Sequence, residues 1–294
     1  MRAATFAVFM AAERKRWGDV IRAANITNEG VRRRREGARP AAENLLFLRL
    51  GGTGGTRFRS EQEPHFMSPD RLNGIADRLI TARRAGARIV LGADAPRDYE
   101  EGFAIQDEVA AALGSPVIGW KVMEVPSGPV IFAPIVQSGK VEPGGTWSVV
   151  GCEPAGMELE IAFRLGRDVP AGASPEQVLD AVAAAHVVFE LCQSRIADPG
   201  SQPRHVMLAD CISNAGVVVG PEIADWRSVD LKARPGRLLV DGKVHVEGKS
   251  IDPIAALHLL PPELAARGKR LAAGQIVITG SLIGMNAGVQ IASD

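Results

Sequence analysis

Cysteine is scarce in this chain. There are three, Cys152, Cys192 and Cys211, scattered and odd in number. Their spacing matches neither a zinc site nor a disulfide framework, which points to a reducing compartment, the cytoplasm. Long apolar runs are missing too, and none approaches the length of a membrane span. The mildly apolar residues 5–12 run directly into Glu13-Arg14-Lys15-Arg16, without the small-residue cleavage region of a signal peptide. Net charge is absent as well: 34 Lys+Arg balance 34 Asp+Glu. The chain therefore has no bulk attraction to nucleic acid or to a membrane. Internal repeats and low-complexity linkers are also lacking.

What is present is ordinary for a globular protein: 294 residues, 46% hydrophobic and 23% charged. The balanced charge hides an asymmetry. Residues 1–66 carry 13 Lys+Arg against 7 Asp+Glu, and the remainder carries the opposite excess. This stretch contains the run Arg32-Arg33-Arg34-Arg35 and the glycine-rich Gly51-Gly52-Thr53-Gly54-Gly55-Thr56. A phosphate-cradling turn needs a helix after it, and residues 57–66 are charged and aperiodic. Residues 1–66 thus read as a basic extension, disordered or poorly structured. Met67-Ser68-Pro69-Asp70 reads as the natural beginning of a domain over 67–294.

From there the patterns become regular. Ser68 and Pro69 open a helix whose Leu72, Ile75, Ala76, Leu79 and Ile80 recur at helical spacing, with Gly86 to close it. A second helix is expected over 99–113, with Phe103, polar Gln106, Val109, Ala110 and Leu113 on one stripe. Residues 117–122 form a short strand containing Lys121, and a turn-rich β region follows. Ser174-Pro175-Glu176-Gln177 starts a helix running to about His186. Strands are expected at 187–191, 217–219 and 276–280, a hairpin over 238–247, and a last helix from Asp252-Pro253 to about Arg267. The whole is α+β and β-rich, with helices bracketing short strands.

The stretch Met157-Glu158-Leu159-Glu160-Ile161-Ala162-Phe163 organises the rest. Its alternation is that of a half-buried strand, which places Glu158 and Glu160 on one face. Two adjacent carboxylates repel unless a positive group lies between them. The pair fits either a hard divalent cation such as Mg2+ or Mn2+ or an ordinary solvent-facing strand. Glu190, at the end of an apolar run, is a third carboxylate whose charge needs a partner.

Several segments together carry a resemblance. They are Gly119-Trp120-Lys121-Val122, Glu158 to Phe163 with Leu165-Gly166-Arg167-Asp168, Glu190 with Ser194-Arg195-Ile196, Ala209-Asp210, and Thr279-Gly280-Ser281. In this order, over about residues 67–287, the chain resembles the 2-keto-4-pentenoate hydratase / 4-oxalocrotonate decarboxylase family of the fumarylacetoacetate hydrolase superfamily. The resemblance implies a mixed β-roll or distorted barrel with flanking helices. It implies Glu158, Glu160 and Glu190 as ligands of Mg2+ or Mn2+, Lys121 as the active-site lysine, and Ser213 as a polar residue near the substrate. Asp210 matches the family's Ala-Asp pair, and Arg195 is expected to brace the glutamates or to clamp a carboxylate. The implied substrates are small 2-keto acids from aromatic-compound catabolism, turned over by a homo-oligomer, alone or complexed with a pathway enzyme.

The chain departs from that pattern in places. Residues 123–131 are short, with Glu124 as their one acidic residue. Gln193 and Cys211 replace family residues, and the sequence ends at Asp294, soon after Thr279-Gly280-Ser281. A metal-dependent hydratase is the first reading. A decarboxylase or C–C bond hydrolase on the same scaffold, or a non-catalytic partner subunit, stand beside it. None of His65, His186, His205, His245 and His258 lies in a motif that supplies a hydrolytic base.

Overall fold

The computed structural model describes residues 69–149, 155–240 and 242–287. The basic stretch 1–66, its arginine run and glycine-rich turn, the boundary at Met67, Asp241 of the expected hairpin turn and the last residues to Asp294 lie outside the described residues.

Helix α1 spans Pro69–Ala85. Its Ile75, Ala76, Leu79 and Ile80 are buried. It closes as the sequence predicts: Gly86 takes φ 61°, Gly86 N–H donates to Arg83 O and Ala87 N–H to Ala82 O, a Schellman end. Helix α2 spans Tyr99–Ala112 and is capped by Asp98, whose side chain accepts from Glu101 N–H at 2.9 Å. Gln106 on its buried face is fully enclosed and donates to Phe132 O at 3.1 Å. Its presence on the apolar stripe is thereby explained by a hydrogen bond.

Strands β1 (Val117–Glu124) and β2 (Val130–Val136) form an antiparallel hairpin. Then come β3 (Lys140–Val141), β4 (Gly156–Leu165), helix α3 (Pro175–Ala181) and β5 (Val182–Cys192). The capping box of α3 is present, but the helix stops at Ala181 rather than near His186. Residues 183–186 are helix-prone in isolation. Here they extend β5, because Ala184, Ala185 and His186 pair with Arg164, Phe163 and Ala162 of β4. Tertiary pairing outweighs local propensity.

Helix α4 (Arg204–Ala209) leads to β6 (Asn214–Glu222). The hairpin strands β7 (Arg237–Val240) and β8 (Lys243–Glu247) form a separate two-stranded sheet. Helix α5 (Pro253–Ala266) starts at Asp252, which accepts from Ala255 N–H. Strand β9 (Ile276–Ser281) is followed by β10 (Asn286–Ala287), which pairs with β4.

The main sheet runs β2-β1-β9-β4-β5-β6-β3, with β10 beside β4. The β1–β9 and β3–β6 pairs are parallel and the rest antiparallel. This is the mixed, β-rich α+β architecture expected from the sequence. The sheet is strongly curled. β1 and β5 are three strand steps apart, roughly 14 Å in a flat sheet, yet Lys121 of β1 and Glu190 of β5 lie 2.8 Å apart at their side-chain tips. Gly119 allows the close approach of β1 to β9: a Cβ there would lie 2.4 Å from Ile276 O. Within the curl, Ile135, Ala162, Val188, Val217, Ile276 and Ile278 form a small apolar cluster. The larger core lies among the helices and the outer sheet face and includes Phe103, Trp120, Phe132 and Phe163.

Candidate metal and substrate site

Register brings the carboxylates together. Glu158 of β4 is directly opposite Glu190 of β5, and Glu160 is opposite Val188. Alternation puts Glu158, Glu160 and Ala162 on one face of β4, with Val188 and Glu190 beside them on β5. This face looks into the curl, so the solvent-facing reading of the glutamate pair fails: Glu158 is half-buried, and Glu160, like Glu190, is 0% exposed. The small apolar cluster forms the floor beneath them.

Lys121, 4% exposed, reaches the same place from β1. Its ammonium donates to Glu190 Oε1 at 2.9 Å and to Ile212 O at 3.2 Å, and lies 3.8 Å from Glu158 Oε2. Nζ is also 2.8 Å from Glu190 Oε2, but without hydrogen-bond geometry, so that oxygen accepts no hydrogen bond among the described residues. An ammonium has three N–H donors; two are used in this way and one remains.

Glu160 is held differently. Its Oε2 accepts from Gly280 N–H at 2.8 Å, while its buried Oε1 has no partner among the described residues. Gly280 takes φ 107°, a conformation that glycine adopts without steric cost. Thr279 Oγ1 donates to Ile161 O at 3.0 Å and pins the neighbouring backbone. The Thr-Gly-Ser segment is therefore a device that aims an N–H at Glu160.

The electrostatics follow from three acids meeting one base in a buried place. Burial, opposed by Lys121 and reinforced by Glu190, pushes the Glu158 carboxyl up to about 7. Burial and Glu190 push Glu160 well above the ordinary carboxylate range. Burial alone would lower Lys121, but Glu190 and the other acidic groups outweigh it and hold its ammonium above the ordinary range. Lys121 is thus a firm cation, and the acids still lack positive charge.

A buried brace supports this arrangement. Arg195 donates from Nε to Asp210 Oδ1 at 2.6 Å and from its backbone N–H to Asp210 Oδ2 at 2.7 Å. Its Nη2 donates to Asp210 O and Asn214 O at 3.1 Å each, and Nη1 donates to Gln193 O. Arg195 is 1% exposed, so it touches Asp210 and backbone rather than the glutamates or a substrate carboxylate. What it holds is a strained turn. Cys211, Ile212 and Ser213 take φ of 51°, 51° and 62° in succession, rare for non-glycine residues and more so for β-branched Ile. The strain is purposeful. It aims Ile212 O at Lys121, and it sends Asn214 into β6 with its Nδ2 donating to Glu190 Oε1 at 2.8 Å. Ser213, half-buried, has its carbonyl tied to Gln193 N–H.

The structure therefore brings Lys121, Glu158, Glu160 and Glu190 together and places Ser213 on the adjoining turn. Sequence reasoning missed Asn214 and Cys192. The ligand atoms of Glu158, Glu190 and Cys192 all lie within 4.8 Å of one another. Neither residue had a signal of its own: Cys192 follows an apolar run and Asn214 precedes another.

A curled mixed sheet around a nest of carboxylates defines a recognisable class. A family model described as fumarylacetoacetate (FAA) hydrolase C-terminal matches residues 107–293, more than half of the chain, and the protein belongs to that family. Among solved structures, the chain is similar in fold to 4-oxalocrotonate decarboxylase from Pseudomonas putida G7. The form complexed with magnesium and adipate has TM-score 0.67 and 19% identity over 76% of this chain and 92% of that one. The form complexed with calcium and acetate has TM-score 0.66 at the same identity and coverage. No curated protein matches the chain in sequence. Among the described residues no helix is long and apolar enough to cross a membrane.

Proposed function

We propose that this chain is a divalent-metal-dependent hydratase, a hydro-lyase that adds water to a small 2-hydroxydienoate through its 2-keto tautomer. Its substrate would be of the 2-keto-4-pentenoate type met in aromatic-compound catabolism. The observation that carries this reading is a buried lysine paired with Glu190 and Glu158, beside a fully buried Glu160 whose Oε1 accepts no hydrogen bond among the described residues. That oxygen, and the excess of acidic groups over basic ones, fit a divalent cation. Glu158, Glu160 and Glu190 would hold it, and all-oxygen donors suit Mg2+ or Mn2+. When bound, such an ion supplies Lewis acidity to the carbonyl oxygen of a 2-keto acid.

The chain's own groups supply the rest. Lys121, kept charged, is a hydrogen-bond donor whose ammonium can meet a developing oxyanion. Ile212 O and Asn214 fix the ammonium and its carboxylate partner, so little reorganisation accompanies the reaction. The apolar floor excludes water from below. Ser213, on the turn beside Lys121, is assigned to orienting the substrate. A cytoplasmic location and a homo-oligomer, with a pathway enzyme as companion, complete the proposal.

Decarboxylation is the second reading. Glu124, the one acidic residue of 123–131, is exposed at the end of β1, so that stretch adds no acid to the buried site. Loss of carbon dioxide needs only an electron sink and one proton donor. Incubating the purified chain and a divalent metal with 2-hydroxypenta-2,4-dienoate and a panel of 2-keto acids, and identifying products by mass, separates the readings. Gain of water supports the first, loss of carbon dioxide the second, and an unchanged panel overturns both.

A further inference from the structure

Cys192 ends β5 two residues after Glu190, on the same face of the strand, and is 3% exposed. It is free of any disulfide. Its sulfur and the carboxylate oxygens of Glu158 and Glu190 lie within 4.8 Å of one another. Donor atoms sharing one tetrahedral ion are about 3.6 Å apart when one of them is sulfur, so the three side chains would close in by about an ångström around an ion. Glu160 Oε1, on a fully enclosed side chain, accepts no hydrogen bond among the described residues, and Glu190 Oε2, equally enclosed, is met by the Lys121 ammonium at 2.8 Å. A purely hard-ion site would be lined by oxygen alone. Here one donor is a soft, polarisable thiol, and thiolates select transition metals over Mg2+.

We propose that Cys192 is a metal ligand alongside Glu158 and Glu190, and that its sulfur gives this protein a preference for a borderline transition-metal ion of the Zn2+, Fe2+ or Co2+ kind over Mg2+. The proposal rests on the carboxylate metal site described under the proposed function and departs from it in one respect: sulfur joins the oxygen donors, which moves the preference away from Mg2+. As the metal–sulfur bond forms, the thiol proton leaves to solvent and the lone pair of the thiolate becomes the ligand pair; nothing is oxidised or reduced.

The test uses the full chain, stripped with a chelator and titrated with Co2+ under reducing conditions. A thiolate bound to Co2+ gives an intense near-ultraviolet charge-transfer band, which carboxylates do not. The band is expected on wild-type protein and absent from Cys192→Ser. In that variant Zn2+ affinity is expected to fall on the order of tenfold or more, with Mg2+ affinity little changed. Circular dichroism checks that the variant folds, and the wild-type band does not depend on the variant. Co2+ that binds without the band overturns the sulfur ligand while leaving the carboxylate site standing. A band that persists in Cys192→Ser overturns it also. Failure of every metal to bind overturns both this inference and the metal-dependent reading.

Discussion

Lys121 Nζ lies 2.8 Å and 2.9 Å from the two oxygens of Glu190, although the strands carrying them are separated by two others in the sheet. The pair bridges the mouth of the curl. Neutralising one side leaves the other charge buried, which costs about 3–5 kcal/mol when a buried ion pair is broken.

Lys121→Met is therefore expected to destabilise the metal-free chain by about 3 kcal/mol and to abolish turnover. With the lysine gone, the three acids need a cation more, so an added divalent metal should recover a larger share of stability in the variant than in wild type. Urea denaturation with and without metal measures both. Equal stability of variant and wild type would show that the pair is not the keystone described.

Glu158 gives a pH dependence of definite sign. Its carboxyl is raised from an ordinary 4.5 to about 7 in the folded chain. A raised carboxylate favours folding below its unfolded value, where both states are protonated. The advantage is lost as pH rises through the folded value. Thermal stability of the metal-free protein is thus expected to decline between about pH 4.5 and 7, and Glu160 acts in the same direction. Added metal should stabilise more at pH 8 than at pH 5.5. A metal effect that is flat with pH would count against buried carboxylates as the ligands.

The brace is testable through Asp210. Asp210→Asn removes the charge facing a 1%-exposed arginine, and a loss of about 3–5 kcal/mol is expected. Arg195→Lys should fare little better, since a lysine cannot reproduce the guanidinium fork. Asn214→Ala is milder, about 1–3 kcal/mol for one buried hydrogen-bond partner lost, but it releases Glu190 Oε1 and should weaken metal binding on the order of tenfold. Calorimetric metal titration of Asn214→Ala against wild type reads this, and unchanged affinity would reduce Asn214 to a packing role.

Part of this was legible beforehand. The α1 face, its Gly86 end, the capping box of α3 and the alternation of Glu158 and Glu160 follow from short-range rules, and the structure follows them. The extent of α3 was misread because the segment from Ala183 to His186 reads as helix until β4 is beside it. The meeting of Glu158 with Glu190 depends on strand register, which no spacing along one chain reveals. Asn214 and Cys192 were invisible for the same reason: each acquires a role only through what the curl brings next to it. The strained run from Cys211 to Ser213 has no glycine to announce it.

That strain yields a prediction for Ser213. With φ at 62°, Ser213→Gly is expected to relieve about 1 kcal/mol, seen as a raised melting temperature. If the hydroxyl orients substrate, turnover falls while stability rises, and Ser213→Ala loses turnover without the gain. Full activity in both variants would remove Ser213 from the site.

The central claim is that the glutamates hold a divalent ion at which a 2-keto acid binds. Electron paramagnetic resonance of bound Mn2+ tests it most directly, using the chelator-stripped full chain. One Mn2+ per chain is expected, with a spectrum that changes when a small 2-keto acid is added. Glu158→Gln with Glu160→Gln should bind no Mn2+. Unchanged Mn2+ binding in that double variant, or a wild-type spectrum indifferent to the keto acid, would contradict the account.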